Sequence, residues 1–187
     1  VVFSHDTEDA LQVTADLVNT DRPGVEALAD VGDLTRFAAA HGFGTAAEPD
    51  HEVLIRVHAL RDRLRRVWTG DDLDATVGLL NGLIADSDAR PFLTRHDGWG
   101  WHLHFTPLGS PLDRQLAAET AMALVFLVRH DELGRLRLCA GHDCDAVLVD
   151  LSRNRSKRYC DTGNCGNRAN VAAYRSRLRA GANGGGR

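Results

Sequence analysis

Cys139-Ala140-Gly141-His142-Asp143-Cys144 and Cys160-Asp161-Thr162-Gly163-Asn164-Cys165 hold every cysteine of this chain, in the spacing C-x4-C-x15-C-x4-C. Four thiols within 27 residues of a 187-residue chain point to one local site. Each pair closes a short knuckle, two knuckles can reach one ion, and thiolates are preferred ligands of structural zinc. Cys139, Cys144, Cys160 and Cys165 are therefore the expected ligands of one Zn2+ per chain. Four protein ligands leave no open position for water, so the expected role is structural and not catalytic. A segment of about 45 residues has little core of its own, and metal binding can supply the missing folding energy. An iron–sulfur site and two disulfides are the alternatives; a chain showing no secretory leader disfavours disulfides. His142 could replace a ligand, but four cysteines already suffice.

Outward from the cysteines, residues 135–138 and 146–151 read as short strands and residues 166–178 as a helix directly behind Cys165. That order is treble-clef-like, with the last ligand at a helix N-terminus. The loop between the pairs, Ser152-Arg153-Asn154-Arg155-Ser156-Lys157-Arg158-Tyr159, carries four cations in six residues. On the helix, Arg168, Arg175 and Arg179 fall within about 40° of one another at ~100° per residue. Val171, Tyr174 and Leu178 form a neighbouring apolar stripe expected to pack on the metal core. A basic stripe beside a packed one suits a helix facing nucleic acid. The candidate contacts are Arg153, Arg155, Lys157, Arg158, Arg168, Arg175 and Arg179. A solvated basic face and docking on the chain's own acidic half are the competing readings.

Charge divides the chain. Residues 1–134 carry 11 Arg against 22 Asp and Glu, a net of −11, while residues 135–187 carry 11 Lys and Arg against 4 Asp, a net of +7. Such asymmetry suggests a basic module meeting an anionic partner. The expected organisation is an acidic helical domain over 1–134, the cysteine module over 135–180, and a Gly-rich flexible tail over 181–187. The fold class is α+β, mainly α. Apolar spacing predicts helices over residues 6–19, from about Glu26 to His41-Gly42, over 51–68, after Asp71 or Asp72, and over 111–131. Leu54, Val57, Leu64, Val67 and Trp68 face inward in the third, with Arg61, Arg63, Arg65 and Arg66 mostly elsewhere; Leu73, Val77, Leu80 and Ile84 face inward in the fourth. Ser110 and Pro111 open the last and most apolar helix. Between them the period changes to two, where Trp101, Leu103 and Phe105 alternate with His102 and His104. Residues 91–94 are the expected hairpin partner across Asp97-Gly98, and Gly98-Trp99-Gly100-Trp101 supplies one core tryptophan.

Cys165-Gly166-Asn167-Arg168 resembles the signature of the bacterial CGNR zinc-finger family. Cys139, Cys144, Asp150, Ser152-Arg153-Asn154, Lys157-Arg158, Tyr159-Cys160 and Ala172-Ala173-Tyr174 fall where that family places similar residues. The N-terminal stretch ending Asp16-Leu17-Val18-Asn19-Thr20 resembles the start of the ABATE domain that usually precedes this finger. The resemblance implies a transcription regulator with a DNA-binding finger. Asp161-Thr162 stands where Ser-Met is common, Arg155 where Gly is common, and Asn170 where Lys is common. Arg155 is the expected replacement for the missing lysine. Asp150, Asn154 and Asn167 are expected to support the site structurally: the Asn167 amide would bond the cysteine loop, and Arg168 would pair with Asp150 or with a phosphate.

The sequence has no Gly-rich phosphate loop, no G-x-S-x-G and no H-E-x-x-H, so an enzyme is not expected. His102 and His104 share a strand face and could ligate a metal, but nothing else in the sequence is tied to them. The expected function is a cytoplasmic bacterial regulator that binds DNA through the zinc-stabilised finger, with ~4–7 phosphate contacts and a salt slope of roughly −4 to −6. The acidic domain would sense a small-molecule effector, form a homodimer or recruit a partner. RNA is a weaker candidate, since Tyr159 and Tyr174 are the module's only aromatics for stacking. A zinc-stabilised module docking on an acidic protein, and an enzyme using an N-terminal pocket, are the other readings. The longest apolar run, 121–128, is far short of a bilayer span.

Overall fold

The computed structural model describes residues 3–44, 46–95 and 100–183, with the side chains of 178–183 excepted. Helix α1 (His5–Val18) and helix α5 (Leu112–Arg129) form the middle of the core. Leu11, Leu17, Leu112, Leu116, Leu124 and Leu127 are fully enclosed there. Helix α3 (His51–Thr69) packs on both, and helix α4 (Leu73–Asp86) covers the other side of α5. The apolar spacing of α3 is realised, with Leu54, Val57, Leu64, Val67 and Trp68 all buried.

Four expectations about the helices are corrected. The stretch from Glu26 is not yet helical: β1 (Asp21–Arg22) and β2 (Val25–Glu26) make a tight antiparallel hairpin, and helix α2 spans Val31–Ala40 with Gly32 inside it. Asp30 and Asp33 form a reciprocal capping box that fixes this later start. Arg61 is buried and not on a solvent face, because it meets Glu26 of β2 and the Thr20 hydroxyl. Leu73 is exposed; Thr76, Leu80 and Leu83 form the buried face of α4. Pro111 is the cap residue of α5 itself, while the Ser110 hydroxyl donates to the Pro107 carbonyl.

Strands β3 (Phe92–Thr94) and β4 (His102–His104) pair antiparallel in the expected hairpin. The Asp97-Gly98 turn and Trp99 lie outside the described residues. Trp101 is 70% exposed, so it is not a core tryptophan; that part is taken by Trp68 of α3.

After α5, a 3-10 turn (Leu133–Arg135) leads into β5 (Leu136–Leu138), which pairs antiparallel with β6 (Val147–Val149). Val147 and Val149 join the helical core directly. Asn19, at the end of α1, bonds both backbone groups of Val147 at 2.8 Å, and Trp68 Nε1 donates to the Leu148 carbonyl at 3.0 Å. Helix α6 (Cys165–Asn183) follows, and its backbone runs into the stretch read as a tail. Among the described residues, no helix is long and apolar enough to cross a membrane.

Candidate metal centre and basic face

Cys139 follows β5, Cys144 closes the first knuckle, Cys160 ends the basic loop and Cys165 is the first residue of α6. One ligand atom from each lies within 4.8 Å of all the others. Cys144 and Cys160 sulfurs are 3.8 Å apart, as are those of Cys160 and Cys165. Four thiolates about 2.3 Å from a tetrahedral ion would sit about 3.8 Å apart. A disulfide needs about 2.05 Å, and all four cysteines are free. The donor set therefore fits a thiolate-bound metal ion and not two disulfides.

The knuckles have matching backbones. Asp143 and Asn164, each just before the second cysteine of its pair, take φ of 53° and 50°. Asp and Asn are the non-glycine residues that best tolerate this left-handed region. A Cβ on Gly141 would lie 2.8 Å from the Cys165 sulfur, and one on Gly163 would lie 3.1 Å from it. Backbone N–H groups of Gly141 and Cys160 donate to the Cys139 sulfur at 3.4 and 3.3 Å. Burial pushes the Cys144 thiol up to about 12. Burial acts against Cys160 as well, but hydrogen bonds to Thr162, Cys139 and the Gly163 backbone bring it down to about 7. A bound cation would displace the remaining thiol protons.

Asp150 is fully buried and organises the basic loop. It accepts from the Ser152 N–H and hydroxyl and from the Lys157 N–H, and pairs with Arg137 at 3.3 Å. Burial opposes its charge, yet these donors hold its carboxyl below the ordinary range. Its cation is thus Arg137 and not Arg168. Arg168 Nη2 donates instead to the Cys165 sulfur at 3.0 Å, where it offsets thiolate charge. Asn154 and Asn167 are exposed, and no hydrogen bond among the described residues ties the Asn167 amide to the cysteine loop.

Several expected contact residues have partners within the chain. Arg155 pairs with buried Glu132 at 2.7 Å, and Lys157 with Asp161 at 2.6 Å. Arg155 is thus held away from the role of the missing lysine. Its φ of 49° also explains why glycine suits that position. Arg153, Arg158 and Arg175 are exposed with no ion pair among the described residues, and Arg177, not singled out by the sequence, joins them. The Arg179 and Leu178 side chains lie outside the described residues. Every residue from 171 to 177 is exposed. Val171 and Tyr174 are 41% and 56% exposed, so the expected stripe does not pack on the metal core. The helix leaves the cluster and stands clear of the body. His142 is turned outward onto Asp143.

Glu132, Arg135 and Arg137 are the structural residues that sequence reasoning missed. Arg135 bonds Glu132 at 2.8 Å and the Asp150 carbonyl at 2.7 Å, locking the 3-10 turn to the loop. An Asp-Glu pair after a helix offers no signal that one carboxylate is buried.

Residues 11–131 match the family model of ABATE, described as "Putative stress-induced transcription regulator". The chain belongs to the ABATE family. Residues 135–178 match the model of the CGNR zinc finger, so the two segments follow in the order the sequence resemblance implies. In this ABATE chain the matched finger contains all four clustered cysteines. No curated protein matches the chain.

Proposed function

We propose that this chain is a transcription regulator that binds DNA through a finger folded by one structural zinc ion. The observation that carries the reading is the projecting half of α6, whose residues 171–177 are exposed on all sides. A helix anchored at its first residue by a metal cluster and exposed over residues 171–177 can enter a major groove. Arg175 and Arg177 lie on it, and Arg153 and Arg158 lie on the loop beside its root. Among the described residues these four arginines are exposed without an ion pair, and four phosphate contacts correspond to a salt slope of about −3.5.

A groove in the ABATE segment supports the reading of a small-molecule effector. A groove of about 520 Å3 between α3, α4 and α5 is lined by Arg56, Arg63, Arg114 and Asp113. Arg56 is held by Asp113 at 2.7 Å and Arg63 by Asp86 at 3.0 Å, while the buried Asp113 Oδ1 has no hydrogen-bond partner among the described residues. Its size is that of a small-molecule site.

Exposed Val171 and Tyr174 favour a second reading, in which α6 docks on an acidic protein. The variant Arg175→Glu with Arg177→Glu tests the first. Duplex DNA affinity should fall at least tenfold at low salt, with zinc content and thermal midpoint unchanged. Unchanged DNA affinity in a folded variant would contradict DNA binding by α6.

A further inference from the structure

Residues 1–134 carry a net charge of −11, yet three of their 11 arginines line the groove between α3, α4 and α5. Arg56, Arg63 and Arg114 meet two carboxylates there, Asp86 and Asp113, so the lining sums to +1. Glu52 lies 3.6 Å from Arg56 but is exposed and does not line the groove. A positive concavity in an otherwise acidic segment attracts an anion. Helix α5 begins at this wall, with Pro111, Asp113 and Arg114 in the lining, and its dipole adds to the same field.

The three cations are held differently. Arg56 Nε donates to Asp113 Oδ2 at 2.7 Å, and that carboxylate is only 13% exposed, so Arg56 is fixed in place. Arg63 Nη1 donates to Asp86 Oδ2 at 3.0 Å, but Asp86 is 64% exposed, and such a pair is easily exchanged. Among the described residues, the Arg114 side chain makes no hydrogen bond and no ion pair. A guanidinium has five N–H donors. Arg63 and Arg114 therefore keep donors for a ligand. Below them the lining is apolar, since Leu60, Leu83 and Ala117 are buried there.

Cationic sides over an apolar floor select a ligand with one anionic group and an apolar body. The planar guanidinium fork matches the two oxygens of a carboxylate. Asp86 already shows a carboxylate accepted by Arg63 at this place, and a lining of +1 balances one negative charge and not two.

We propose that the groove binds a small organic monocarboxylate with an apolar body. Arg63 and Arg114 take the carboxylate, which displaces Asp86, and Leu60, Leu83 and Ala117 carry the body. Arg56 supplies a fixed positive charge beside them. Such a ligand ties α3 to α5. The inference rests on the effector reading of this groove and names its ligand class.

NMR titration of the full zinc-loaded chain with 2-naphthoate, and with its neutral counterpart 2-naphthamide, tests the proposal. 2-Naphthoate should shift the side-chain Nε–Hε signals of Arg63 and Arg114 and the methyl signals of Leu60 and Leu83. 2-Naphthamide should bind at least about tenfold more weakly, having lost the charged hydrogen bonds. Arg63→Gln with Arg114→Gln should weaken 2-naphthoate by a similar factor. Asp86→Asn removes the competing carboxylate and should tighten it about two- to fivefold. Equal affinity for the acid and the amide would overturn the proposal and leave the effector reading standing. Unchanged affinity of a folded double variant for 2-naphthoate would overturn it as well. No shift of the groove signals by either compound at millimolar concentration would remove both the proposal and the effector reading.

Discussion

At Gly141 the backbone comes closest to sulfur. A methyl group there would sit 2.8 Å from the Cys165 sulfur and 2.9 Å from its Cβ, well inside contact distance. Neither atom can retreat without leaving the cluster. Gly141→Ala should therefore lower zinc affinity about tenfold or more, corresponding to at least ~1.4 kcal/mol, in competition with a chromophoric chelator. Gly163→Ala, with its nearest contact at 3.1 Å, should lose less. Arg61 and Glu26 give a second residue-scale test. The hydrogen bonds from Arg61 hold the Glu26 carboxyl down to about 2, from 4.5. A carboxylate depressed on folding stabilises the protein above its unfolded value and loses that contribution as pH falls through its folded value. Stability from this pair should thus be present above pH 4.5 and decline toward pH 2. Urea midpoints of Glu26→Gln and the unaltered chain should differ at pH 6 and converge on acidification. The four cysteines were legible as ligands because spacing alone implies one site. Arg61 was not, because a cation at helical spacing reads as solvated until its partner, 35 positions earlier in the chain, is known.

Among the elements, those with long apolar periods were the legible ones. Helices α1, α3, α4 and α5 each repeat apolar residues over three turns or more, and the β3–β4 hairpin shows a clear period of two. The β1–β2 hairpin has two residues per strand, too few for any period, so its strands were not expected and its last residue, Glu26, was taken for the start of a helix that begins at Val31. Helix α6 has the correct extent at its start, but its stripe of Val171 and Tyr174 is exposed. Amphipathic spacing says which residues share a face and not whether anything covers it. The junction of α1 with β6 was not legible in the sequence, where Asn19 stood only in the stretch that resembles the start of ABATE. The structure supplies its cause. The Asn19 amide donates to the Val147 carbonyl and accepts from its N–H, acting as one residue of a strand edge. Asn19→Ala would leave both buried groups unpaired, each costing about 1–3 kcal/mol. A loss of about 2–4 kcal/mol is expected in urea denaturation at saturating zinc. A loss below ~0.5 kcal/mol would show that β6 is held without this bridge.

For the molecule as a whole, the charge split of the sequence overstates the positive surface. Arg135, Arg137, Arg155 and Lys157 belong to the basic segment but meet Glu132, Asp150 or Asp161 inside the chain. Composition counts these cations as available; folding neutralises them. Among the described residues, Arg153 and Arg158 on the loop and Arg175 and Arg177 on α6 are left exposed without an ion pair, and the metal cluster is the element that fixes loop and helix relative to each other. Binding of an anionic polymer should therefore depend on both salt and zinc. The decisive measurement is the salt dependence of duplex DNA binding by the zinc-loaded chain, with Cys160→Ser as the comparison. A log–log slope of about −3 to −4 for the loaded chain, with affinity lost in Cys160→Ser, is the expected result. Equal affinity and slope in the two proteins, or no binding at low salt with one zinc per chain, would contradict a zinc-organised DNA-binding face.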